Sequence, residues 1–129
     1  MERINPALQI KHLGEILGLE IFLDEKQQAV LVIDGQFPVS LHFYDEQWHF
    51  YSMVCHLIND HDTLSFYQKV LIKNLSELRS GIGGLCLNET AEILMYVGEP
   101  KKTIYNANEL YESLNQYVQR LDALREMLE

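Results

Sequence analysis

The chain has 129 residues, enough for one domain with its own hydrophobic core. Apolar residues make up 47% and charged residues 22%, the values of a folded globular chain and not of a disordered one. Ten Lys and Arg stand against nineteen Asp and Glu, a net charge of −9 with no basic cluster. Phosphate backbones and anionic lipid surfaces are bound through basic side chains, so neither nucleic acid nor a membrane is an expected partner.

No apolar h-region follows Met1, and no stretch reaches the roughly 20 apolar residues of a membrane span. A cytoplasmic location is expected, where Cys55 and Cys86 stay reduced. Asn5 then Pro6 reads as an N-cap and first helical position, opening a helix that runs to about Leu17 and stops at Gly18. Its apolar residues cover about half the circumference, with Leu8 outside that arc. From Gln28 to Cys55 the hydrophobic period changes to two. Residues 29–34 are rich in Val, Leu and Ile, Asp34-Gly35 gives a turn, and Phe37, Val39, Leu41 and Phe43 alternate on one face. Asp45-Glu46-Gln47 turns into a third aromatic strand, 48–55, which completes an antiparallel meander.

The polar segment Asn59-Asp60-His61-Asp62 offers caps for a second helix over 63–78. Leu64, Tyr67, Leu71, Leu75 and Leu78 make one stripe of that helix, and Phe66, Val70 and Ile72 fall elsewhere. A helix with two apolar sides is usually buried on both. Gly81, Gly83 and Gly84 read as a helix stop and bend, followed by short strands at 85–88 and 92–98. A last helix over 108–128 carries Leu110, Leu114, Tyr117, Val118, Leu121, Leu124 and Leu128. The expected class is α+β, in the order α-β-β-β-α-β-β-α, with a twisted antiparallel sheet flanked by helices in a single domain over 1–129.

Chemistry-bearing patterns are sparse. His56, His61 and the acidic residues between them lack the second ligand pair of a zinc site. Cys55 and His56 are strand neighbours and point to opposite faces, which rules out a nucleophile–base pair. The glycine cluster has no Lys-Ser/Thr and follows a helix, unlike a phosphate-binding loop. The paired carboxylates, such as Asp60 and Asp62, lie in hydrophilic turns where nothing raises a pKa. No catalytic residue, metal or cofactor is expected. What remains is apolar surface beyond the needs of one small core, which points to an interface. Self-association is its simplest outlet, since each large apolar side chain buried contributes roughly 1.5–3 kcal/mol against about 4–15 kcal/mol for association.

In length, acidity and element order the chain resembles the class I type III secretion chaperones, the Tir-chaperone (CesT-like) family. Its signposts are Leu13-Gly14-Glu15-Ile16-Leu17-Gly18-Leu19, Val70-Leu71-Ile72-Lys73-Asn74, and Gly83-Gly84-Leu85-Cys86-Leu87-Asn88 followed by Ile93-Leu94-Met95-Tyr96. The resemblance implies a bacterial, cytoplasmic homodimer formed through the second helix and a late strand, here Phe66, Val70, Leu85 and Leu87. It also implies an effector polypeptide whose N-terminal segment is held extended, without ATP, on apolar patches. Leu8, Ile16, Leu17, Leu41, Phe43 and Trp48 are the expected contacts, and the export apparatus is a further implied partner. The alternative is an interaction or regulatory domain on the same scaffold without a secretion role. An acyl-thioesterase is disfavoured, because no carboxylate or His sits at a buried helix start near a glycine loop.

Overall fold

A computed structural model describes residues 4–57 and 63–128. The expected capping segment before the second helix, with His61, Asp60 and Asp62, lies outside the described residues. The elements are α1 (Pro6–Leu17), β1 (Gln28–Ile33), β2 (Phe37–Tyr44), β3 (Gln47–His56), α2 (Thr63–Ser80), β4 (Gly83–Leu87), β5 (Ile93–Gly98) and α3 (Ala107–Leu128). This is the expected α+β order.

Local chemistry explains most boundaries. Asn5 caps α1 by accepting from the Leu8 amide at 3.1 Å, and Gly18 ends the helix in the left-handed region. Asp34 and Gly35 both have positive φ, and the Gln36 amide donates to the Ile33 carbonyl, as a mirror-image hairpin turn requires. The next hairpin turns on Asp45 and Glu46, again both at positive φ but without a glycine. One expectation needs correction. Gly81 does stop α2, but Gly83 and Gly84 belong to β4. A Cβ on Gly83 would lie 2.5 Å from the Val97 carbonyl oxygen, so this glycine permits close strand pairing and is no bend.

The five strands form one antiparallel sheet in the order β1-β2-β3-β5-β4. Its inner face (Leu31, Val39, Leu41, Trp48, Phe50, Leu94 and Tyr96) joins Ile10 and Leu13 of α1 and the leucines of α3 in a single core. Tyr117 of α3 stacks on Tyr96 at 5.1 Å and donates to its carbonyl at 2.6 Å. Among the described residues no buried side-chain nitrogen or oxygen lacks a partner. Trp48 Nε1 donates to Gln9 Oε1 at 2.7 Å, and Gln9 Nε2 donates to the Ile104 carbonyl at 3.1 Å. Arg125 of α3 donates to the Met53 carbonyl beside the β3 bulge and to the Gln36 carbonyl, with its guanidinium 5.3 Å above the Phe37 ring.

Candidate functional site

Two open surfaces stand out, one at each end of the sheet order. The first belongs to α2, which runs beside the edge strand β4. Leu64, Leu71, Ile72, Leu75 and Leu78 are all more than half exposed, with Tyr67 beside them. Their three- and four-residue steps place most of them on one stripe of the helix. Leu87 and Cys86 of β4 are exposed on the same edge of the molecule. The attached side of α2 lies about 100° round the helix from the stripe. Val70 is buried there, Phe66 is half-buried against the core, and Asn74 Oδ1 accepts the Leu85 amide at 2.7 Å.

That attached side carries a charge. Glu77 is fully buried, its carboxylate bonded by Arg120 Nε and Nη2 from α3 and by the Tyr96 hydroxyl from β5 at 2.9 Å. Burial, then the bond to Glu77, hold the Tyr96 phenol well above its ordinary range, and Glu77 in turn favours the charged form of Arg120.

The second surface is the free edge of β1. The Phe43 amide donates to the Gln27 carbonyl, so Phe43, Leu41, Val39 and Phe37 turn their backbone groups toward β1. Their partners Ala29, Leu31 and Ile33 face back, which leaves the backbone groups of Gln28, Val30 and Val32 pointing outward. Asp24 takes those of Gln28, accepting its N–H at 2.9 Å on Oδ1 and donating its own N–H to the Gln28 carbonyl at 2.8 Å. Among the described residues, the N–H and C=O groups of Val30 and Val32 keep no partner. Their side chains are 68% and 47% exposed. An edge with free backbone groups and β-branched side chains is a template for an incoming strand.

The expected contact residues divide accordingly. Leu8 and Ile16 are exposed on α1, and Leu17 and Phe43 are half-buried at the margin of the core. Leu41 and Trp48 are 0% exposed, so they are core and offer no surface. Val70 and Leu85 are core as well, Phe66 is only partly accessible, and Leu87 is open. Sequence reasoning did not single out Val30, Val32, Leu19 or Phe22 as surface residues, nor Glu77 and Gln9 as buried ones. A signal for the valines was present. Ala29 to Ile33 is unbroken apolar sequence, where a strand with one solvated face alternates.

An open groove between α3 and residues 99–104 has a volume of about 670 Å³ and is lined by Glu99, Glu109 and Glu112 against Lys101, Lys102 and Arg120. Its charges balance, and none of its residues forms a nucleophile–base pair. Among the described residues no three His, Cys, Asp or Glu converge on a metal position, and no helix is long and apolar enough to cross a membrane.

The model of the Tir chaperone protein (CesT) family matches residues 9–125. The chain belongs to that family. No curated protein matches this CesT-family chain in sequence. Its fold is similar to solved structures whose own proteins are chaperones or complexes. One is the HopA1–SchA chaperone–effector complex, with TM-score 0.73 at 16% identity over 92% of this chain and 91% of the other. Another is the ExsC–ExsE complex, with TM-score 0.74 at 15% identity over 93% and 90%. A third is the Yersinia pestis type III secretion chaperone SycH bound to a stable fragment of YscM2, with TM-score 0.62 at 19% identity over 93% and 99%. At these identities the likeness is one of fold.

Proposed function

We propose that this CesT-family protein is a homodimeric, ATP-independent chaperone for a type III secreted effector. It holds the effector's N-terminal segment extended, keeps it soluble and presents it to the export apparatus. The observation that carries the reading is the free edge of β1, where Val30 and Val32 offer both backbone groups and apolar side chains to an extended chain. Leu8, Ile16, Leu17 and Phe43, with Leu19 and Phe22 of the α1–β1 connection, supply apolar contacts for the same segment. The family match and the solved chaperone–effector complex of the same fold support that class of client.

The second copy is assigned to the α2 stripe and the adjoining Leu87. Burying Leu64, Leu71, Ile72, Leu75 and Leu78 of both copies contributes roughly 1.5–3 kcal/mol per side chain. These side chains are already partly buried in one copy, at 52–74% exposed, which brings the sum down to one comparable with the association cost of about 4–15 kcal/mol.

The test is co-expression with N-terminal segments of secreted proteins encoded nearby, read by co-elution in gel filtration. A dimer that solubilises one segment is expected, and a chain that stays monomeric and retains none would sink the reading. Val32→Pro removes one outward N–H without touching the β1–β2 ladder. It should weaken capture of the segment by about ten-fold, the equivalent of roughly 1.4 kcal/mol, while leaving the dimer intact.

A further inference from the structure

A helix at a protein surface ordinarily buries its leucines and exposes its carboxylates. In α2 the arrangement is reversed. The least exposed side chain of its described residues is Glu77, while Leu71, Leu75 and Leu78 stand in the open. The side turned to the body is held largely by polar groups. Asn74 takes the Leu85 amide, Lys73 Nζ lies 3.9 Å from Glu77, and Glu77 joins α2 to Arg120 of α3 and Tyr96 of β5. The polar atoms of this cluster are paired, since no buried side-chain nitrogen or oxygen lacks a partner among the described residues.

Such a cluster is a poor source of stability. Taking two charges out of water costs about as much as their attraction returns, and apolar residues of the same volume often do as well or better. A buried ionic set is better suited to choosing one packing over another. Here the competing packing is plain from the sequence pattern. If α2 rolled its leucine stripe inward, the chain would bury more apolar surface by itself and offer nothing to a second copy. That roll would strip the buried Tyr96 hydroxyl of its partner, which is costly, and would part the half-buried Arg120 guanidinium from its carboxylate.

We propose that Glu77, Arg120 and Tyr96 form a rotational lock, a positioning set that keeps the leucine stripe facing outward for self-association. The lock touches no partner; it decides which side of α2 a partner meets. This inference rests on the reading of the stripe as the dimer face.

Sedimentation equilibrium on the double variant Glu77→Leu with Arg120→Leu tests it. The variant should keep its fold, with some thermal stability lost to the unpaired Tyr96 hydroxyl, and raise the dimer dissociation constant by at least about ten-fold. A folded double variant that dimerises like the parent overturns the lock. Should the double variant fail to fold, Glu77→Gln decides, since it keeps the shape and gives up the charge pairing. A clear rise in dissociation constant supports the lock, and an unchanged one overturns it. A monomeric parent protein would sink the dimer reading alone. The lock is then read by hydrogen exchange, where the double variant should lose its parent-like pattern across α2 while α1 and α3 keep theirs. An unchanged pattern across α2 overturns it.

Discussion

α2 and α3 carry nearly the same message in sequence and meet opposite fates. Both have leucines at three- and four-residue steps, and both are long. In α3 the stripe from Leu110 to Leu128 is buried from end to end. In α2 the stripe from Leu64 to Leu78 is open, and the body is met by Val70, Phe66, Asn74 and Glu77. Helical periodicity thus identifies a face that must be covered, but it does not say whether the cover lies in the same chain.

The sharpest way to break the comparison is to shorten one leucine in each helix. Leu121→Ala in α3 leaves a cavity in a fully packed core, and the expected cost is about 2–5 kcal/mol in chemical denaturation. Leu71→Ala in α2 removes a side chain already 66% exposed, and its stability as a monomer should change by less than about 0.5 kcal/mol. Equal losses at the two sites would erase the distinction.

A charge sharpens it further. Leu71→Asp should abolish self-association at micromolar concentration with the circular dichroism spectrum unchanged. Val70→Asp, one residue earlier and 7% exposed, should instead destabilise the fold itself, because it places a charge in the core. A folded, dissociated Val70→Asp would reverse the assignment of the two sides.

The smallest expected effect lies on neither helix. Asp45 and Glu46 both hold positive φ in a two-residue hairpin, a conformation that Asn-Gly adopts with less strain. Replacing the pair by Asn-Gly relieves about 1–2 kcal/mol of left-handed strain at Glu46 against a glycine entropy cost of about 0.5–1 kcal/mol, a net stabilisation of roughly 0.5–1 kcal/mol. The dimer dissociation constant should not move, which separates stability from association in the same measurement.

Much of the fold was legible in the sequence because its local signals agree. Asn5-Pro6, Gly18, Asp34-Gly35 and the clean alternation from Phe37 to Phe43 each state their own geometry. The strand containing Gly83 was less legible, since a glycine chosen for close backbone approach looks like one chosen for a bend. The surfaces were legible only in part. Periodicity marks α2 as having too much apolar surface, but the choice between its two sides depends on Arg120, which is 43 residues away in sequence from Glu77. Leu41 and Trp48 read as surface candidates because a strand's alternation does not tell the inward from the outward face. The edge position of β1 follows from the strand order, which no local pattern encodes.

The Asp24 clasp on Gln28 has a consequence for how this protein survives being sticky. It closes one end of the β1 edge, and the Asp34-Gly35 turn closes the other, so only Val30 and Val32 remain to pair with a newcomer. A strand that docks there gains a handful of backbone bonds and then runs out of track. On the proposed reading that is a berth for one visitor at a time, and in any case it is too short to grow into a continuous seam of stacked chains.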